Sequence, residues 1–411
     1  MHLRSAAIPL LFATLAARVG AQQVFVVAPS PGPGVFSTTI QPAVNAAVDG
    51  DIVLVKAGTY GGFNMFHKGI TVSAEAGAAV STTAIHVETP PAGTRLVLRG
   101  LTVVPSAGAT TAAVTLNGCP GPVWIERCTL QGVGGAFKGS NGIGLHALNS
   151  PSVVVESSVV RGAQTFMVPT IAGASAIEAY NSKLYVHDCE IVGGDANPSP
   201  FGLASPGGAG ISTYRSLLYV SGSTVHGGNG ASVVAPGVNG GNGGPGLSMF
   251  GDSFALATTF TGGAGGAGGL GGSAGSPGLP VQIQAGTFTT LPGSARHFAT
   301  ESPVRELAVS NFSLTGAPGE IAAVIASPEP DLGFLFTPFS GPLLVSGTNA
   351  LALQLAVLPP SGTATVPISI PSLGASSQGG IVFIQSFFFD SPLTTVSLGP
   401  VSALVVLDQT L

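Results

Sequence analysis

Charged side chains are scarce in this sequence: 8% of its 411 residues, with 13 Lys plus Arg against 18 Asp plus Glu and a net charge of −5. A polyanion-binding surface needs clustered cations, so nucleic acid is not an expected partner. Cysteine is nearly absent. Cys119, Cys128 and Cys189 make an odd set of three, which leaves at least one thiol unpaired within the chain, and no CxxC spacing points to zinc. Beyond the N-terminus no uninterrupted apolar run reaches the ~20 residues of a membrane-spanning helix, although mean hydropathy is +0.51. No transmembrane span is therefore expected in the mature chain. With 61 Gly and 32 Pro interrupting the chain, the hydrophobicity must lie in short buried strands.

The N-terminus reads as a secretory signal. His2 and Arg4 precede a mostly apolar stretch from Ala6 to Ala17, and Val19-Gly20-Ala21 supplies small residues for cleavage before Gln22. The expected organisation is a signal peptide over 1–21, a first domain over 22–280 and a second over 281–411. The expected location is secreted or cell-surface.

The middle of the chain repeats itself. Segments beginning at Gly144, Ala176, Gly210 and Gly246 align, with a divergent copy from Ala113. Leu130, Val160, Ile191, Val225 and Phe260 form one apolar column, each followed two positions later by glycine. Leu145, Ile177, Ile211 and Leu247 form another. Within a repeat the side chains alternate: Leu184 and Val186 against Tyr185 and His187, Leu218 and Val220 against Tyr219 and Ser221. Period two means strands. Three short strands fit in each repeat, too few to bury an apolar face alone, so the repeats must stack into one continuous core. A β-propeller needs four strands per blade and fits less well. The excess length lies in glycine-rich stretches at 193–210, 227–246 and 262–278, expected to project as flexible surface loops. They are not collagen-like, since glycine does not fall strictly every third residue. GxGxxG matches within them link no strand to a helix, so no cofactor is inferred.

The mature chain opens with TIQPAVNAAVDGDIVLVKAGTYGG from Thr39. Ile40, Val44 and Val48 are helix-spaced, Gly50-Asp51 makes a turn, and Ile52 to Val55 is a strand. This closely resembles the start of secreted right-handed parallel β-helix proteins of the pectin-lyase-like superfamily, in which a short helix caps the solenoid. The resemblance implies an all-β fold: a right-handed parallel β-helix over about Val24–Gly278. It implies no single activity, because that superfamily holds lyases, hydrolases, epimerases and adhesins. After Gly278 short apolar strands alternate with Pro/Gly/Ser turns, as in a small β-sandwich. Ile381–Leu407 resembles the C-terminal β-domain of exported planctomycete-like bacterial proteins, which implies a surface or sorting role.

Stacked coils bring equivalent residues ~4.8 Å apart, so outward columns are ready binding surfaces. One column reads Trp124, Val154, Tyr185, Tyr219 and Phe254, the next Glu126, Glu156, His187 and Ser221. Rings beside carboxylates suit a sugar polymer, making Trp124, Tyr185, Tyr219 and His187 carbohydrate-binding candidates. Glu126 and Glu156, neighbours on adjacent coils, are the catalytic candidates by analogy with paired glycosidase carboxylates. Packing across strands explains outward aromatics equally well. Asp188, Glu190 and Asp195 with His187 form a weak candidate cation cluster. The pectate-lyase calcium pattern and the polygalacturonase paired-aspartate signature are both missing. A Cys119–Cys128 disulfide is the candidate bridge, with the Pro120-Gly121-Pro122 turn to bring its ends together. The expected function is an exported structural, adhesion or carbohydrate-binding protein. The alternative is a polysaccharide lyase or glycoside hydrolase working from an outward face.

Overall fold

A computed structural model describes residues 22–106, 112–134, 142–164, 172–197, 204–334, 339–347, 349–374, 377–390 and 393–411. The signal peptide expected over 1–21 lies outside them.

Three parallel sheets run the length of a β-helix. The first has ten strands, from Val24–Val27 through Val123–Glu126, Val153–Glu156, Lys183–His187 and Leu217–Ser221 to Phe288–Leu291. The second has eight, from Phe63–Phe66 through Leu145–Leu148, Ile177–Tyr180, Ile211–Tyr214 and Leu247–Phe250 to Val281–Ala285. The third, of shorter strands, also has eight. The registers stack Leu130, Val160, Ile191, Val225 and Phe260 in one column and Leu145, Ile177, Ile211 and Leu247 in another. These inward columns form a single core. The sheets continue past the expected boundary at 280, to Leu291.

The helix Ile40–Ala46 closes the first coil. Ile40, Ala43 and Val44 are buried, whereas Val48 lies beyond the helix end and is 66% exposed. Burying this face covers a coil end that would otherwise be an unpaired edge.

Two corners are built from small polar ladders. The Cys119 amide donates to Ser150 Oγ at 3.3 Å, the Ser150 amide to Ser182 Oγ at 3.1 Å, and the Ser182 amide to Ser216 Oγ at 3.1 Å. At the other corner Cys128 donates to Ser158 Oγ at 3.0 Å, Ser158 to Cys189 Sγ at 3.4 Å, and Cys189 to Ser223 Oγ at 3.0 Å. Sulfur and hydroxyl occupy equivalent rungs, and the side chains of Ser150, Ser182, Ser216, Ser158, Cys189 and Ser223 each satisfy a corner amide that has no ladder partner.

The glycine-rich stretches overturn the expectation of flexible loops. Their backbones form an ordered layer. Amides of Gly227, Gly230 and Val233 donate to the carbonyls of Thr261, Ala264 and Ala267 on the next coil. On the returning limb Gly240, Gly243 and Gly246 donate to Ser273, Ser276 and Leu279. Donors recurring every third residue are the signature of a three-residue-per-turn extended helix, which has no hydrogen bonds of its own and must bond to neighbours. The limbs also bond across: Gly244 to Gly228, Gly263 to Gly244 and Gly278 to Gly263, at 2.8 to 2.9 Å. Asn229, Asn239 and Asn242 are not isolated. Their Oδ1 atoms accept from the amides of Ala264, Ser273 and Ser276, each at 2.9 Å. A Cβ on Gly244 would lie 2.1 Å from the Gly208 carbonyl oxygen, so only glycine lets the limbs approach this closely.

The C-terminal strands form a sandwich. An antiparallel sheet of His297–Thr300, Val309–Thr315 and Thr363–Ser369 faces a larger sheet centred on Gly379–Phe389 and Val396–Leu407. Phe312, Leu314, Val324, Val366, Ile384, Phe388 and Leu404 fill the space between. The two central strands of the larger sheet are buried along nearly all their length. Odd-numbered residues such as Phe383, Val401, Ala403 and Val405 point away from the sandwich core and onto the first sheet of the β-helix. An almost continuous apolar run is what burial of both faces requires.

Candidate functional site

The column expected to bind sugar is instead an internal interface. Trp124, Tyr185 and Tyr219 are in register as the alternation implies, but all three are buried against the sandwich. The Trp124 ring sits 4.9 Å from that of Phe383, at 57°. Outward from the coil is not the same as outward to solvent. The first sheet carries apolar residues on both alternations, so both of its faces seek cover.

Glu126 and Glu156 are neighbours in register, and both are buried. Glu126 forms an ion pair with Arg99, and it accepts from Ser402 Oγ at 2.6 Å and from the Ala403 amide at 2.9 Å. Its lone pairs are committed to holding the sandwich on the solenoid. Arg127 Nη2 adds a bond to the Thr300 carbonyl at 2.8 Å. Glu156 accepts from Ser157 Oγ at 3.2 Å, while its Oε2 has no hydrogen-bond partner among the described residues. Burial, and then the charges of Asp188 and Glu126, push its carboxyl well above the usual range. His187, the rung beyond Glu156, is pulled down to about 4 by burial. A buried carboxyl pair without access to solvent has no sugar to act on, which corrects their reading as catalytic candidates and that of His187 as a ligand-binding residue.

The candidate cation ligands are separately engaged. Asp188 Oδ2 bonds His297 Nδ1 at 2.8 Å, Glu190 pairs with Arg161 at 2.5 Å, and Asp195 accepts from the Asn229 amide at 2.6 Å. Among the described residues no group of His, Cys, Asp and Glu is arranged to hold a metal ion. The three cysteines are free and buried. Between Cys119 and Cys128 runs the strand Val123–Glu126, ~13 Å of extended chain. That exceeds the ~7 Å that a disulfide tolerates between Cα atoms. Burial pushes the Cys119 and Cys128 thiols up to about 11.

The second sheet presents a face that solvent reaches. Its strands alternate buried and part-exposed residues. Tyr180, Tyr214 and Phe250 stand at one register position of three successive coils. Tyr180 and Tyr214 are 38% and 39% exposed. Their rings lie 5.8 Å apart at 42°, and Tyr214 and Phe250 lie 4.9 Å apart at 28°. Arg215 lies over the Tyr214 ring at 5.3 Å, and His146 meets Tyr180 edge-on at 6.0 Å. Glu178, in register with His146, has its carboxyl raised by burial. The sequence signal for this ladder was the aromatic residue closing the first strand of consecutive repeats, in segments that alternate cleanly between apolar and polar.

The chain matches no protein-family model, and no curated protein is detectably similar to it. Among solved structures it resembles ORF18 of Geobacillus virus E2, with 13% identity over 95% of this chain and 86% of that one and a TM-score of 0.22. It also resembles tailspike protein 2 (ORF211) from Escherichia coli O157:H7 bacteriophage CAB120, with 12% identity, 93% of this chain, 64% of that one and a TM-score of 0.18. The chain thus spans just under two thirds of that full-length tailspike. The enzymatically active domain of the bacteriophage CBA120 tailspike protein 2 gives 13% identity, 95% of this chain, 72% of that one and a TM-score of 0.18.

Proposed function

We propose that this protein is exported and serves at the cell exterior as a rigid carbohydrate-binding scaffold, gripping a glycan along the second sheet of its β-helix. The observation that carries this reading is the ladder of the exposed Tyr180 and Tyr214 and the half-buried Phe250. Each of the two tyrosines is more than a third exposed, and a phenol combines an apolar ring with a polar hydroxyl, a combination suited to the mixed apolar and polar surface of a sugar. Arg215 and Glu178 add charged hydrogen-bonding groups at the edge of the ladder. One aromatic per coil sets a regular interval along the solenoid, matching a repeating polymer better than a small molecule. Export rests on the basic and apolar N-terminal segment before Gln22.

The test is a glycan array with the full chain, followed by titration of a captured polysaccharide. Tyr180→Ala with Tyr214→Ala should weaken binding by about five- to 150-fold, since each aromatic contact contributes ~0.5–1.5 kcal/mol. Tyr185→Phe, under the sandwich, should leave affinity unchanged. A wild type that binds no glycan, or a double variant that binds as tightly, defeats the proposal. Release of reducing or unsaturated ends would replace binding by the enzymatic alternative.

A further inference from the structure

The two ends of the β-helix are built differently. The first coil is covered by the helix Ile40–Ala46. Among the described residues nothing covers the last coil. Val281–Ala285 and Phe288–Leu291 are edge strands, each with one neighbour among the described residues. Ile283 stands in the column of the buried Met249, yet is 53% exposed, and Leu279 is 58% exposed. Thr290, in the column of the buried Ala255, is also exposed. The apolar core of the solenoid therefore ends at an open face.

Charged side chains are one device by which proteins keep such an edge free. Here residues 253–291 contain no Asp, Glu, Lys, Arg or His. A face without charge is electrostatically compatible with itself, which is the condition an isologous contact imposes. The size also suffices: one coil, residues 259–291, offers slightly more than the ~20–30 residues a side of a standard stable interface. We propose that this end is a self-association surface, where a second copy of the chain docks end to end about a two-fold axis. The capped first coil blocks a head-to-tail stack, so the assembly closes as a dimer instead of growing into a filament. Edge strands then meet antiparallel, and the exposed Ile283 and Leu279 of each copy are covered by the other.

Sedimentation velocity of the full chain tests this, up to about 100 μM, above the micromolar affinities at the weak end for interfaces of this size. Wild type should sediment as a dimer. Ile283→Lys with Thr290→Lys should shift it to monomer, with the far-ultraviolet circular dichroism unchanged. Should that pair not fold, Gln282→Lys, on the exposed outward side of the same edge strand, carries the same expectation. A wild type that remains monomeric throughout, or a dimer that survives in a folded lysine variant, overturns the proposal.

Discussion

Replacing Gly244 by alanine separates an ordered glycine layer from a flexible loop by the sign of the effect. The Gly244 backbone has no positive φ in the structure, so alanine suffers no left-handed strain there. In a mobile loop the change should stabilise by ~0.4–1 kcal/mol, because it restricts the unfolded chain. In the observed layer the new Cβ meets the Gly208 carbonyl oxygen at 2.1 Å. That atom is backbone and cannot swing away, so the limbs must part by more than an ångström. Two bonds then fail: Gly244 to Gly228 at 2.8 Å and Gly263 to Gly244 at 2.9 Å. Two lost hydrogen bonds at ~1 kcal/mol each and an overpacking strain of ~1–3 kcal/mol outweigh the entropic gain. The expected net loss is about 2–4.5 kcal/mol. The companion Gly237→Ala has φ 76° and nothing within 4 Å, and should cost only ~1 kcal/mol for its left-handed backbone. Urea denaturation measures both, and hydrogen exchange should show lost protection at the amides of Gly244 and Gly263. A neutral or stabilising Gly244→Ala refutes the layer.

Glu126→Ala should cost ~3–5 kcal/mol by leaving Arg99 buried without its partner, read as a lower denaturation midpoint and faster exchange at the Ala403 amide. The His187 imidazole, held at about 4 against an ordinary 6.5, makes the unfolded chain bind the extra proton between those values. Its contribution is complete above pH 6.5 and is lost as pH falls toward 4, by roughly 3 kcal/mol, a slope that His187→Leu should flatten in stability-against-pH curves. Glu156 acts in the opposite direction: its raised carboxyl stays protonated in the fold where the unfolded chain ionises above 4.5, so stability declines as pH rises. Glu156→Gln should therefore raise stability at about pH 7 and have little effect at about pH 4.

The coil registers were legible because each inward column keeps its apolar residue through every repeat, whatever the loop length between. Leu130, Val160, Ile191, Val225 and Phe260 align without reference to any other part of the chain. The site was less legible, because alternation tells which side of a strand a residue occupies and not what lies on that side. Trp124 and Tyr214 are both outward aromatics. What distinguishes them is the company they keep: VWIE and LYVH belong to a sheet apolar on both alternations, whereas IEAY and ISTY alternate with polar residues. The partner covering Trp124, Phe383, is far away in sequence and announced itself only as a strand with no polar face. The cysteines misled for a related reason. Their spacing suggested a loop, but the intervening VWIE is a rigid strand, and both thiols serve as rungs beside serines. The glycine layer left a trace in the pairs Gly262-Gly263, Gly265-Gly266 and Gly268-Gly269, a local period of three that a whole-chain test for collagen passes over.

That period constrains how such a chain can change length. A limb that bonds its neighbours at every third residue keeps its partners only if it grows or shrinks by threes. Because each limb travels out and back, a tolerated insertion comes as matched triplets on both limbs, or else falls at the tip, near Gly237 and Leu270, where the outgoing and returning registers meet. Single-residue insertions within a limb shift every later donor onto the wrong carbonyl and bring a side chain where only hydrogen fits. The layer thus behaves like a ruled page: its margin can move outward, but only by whole lines.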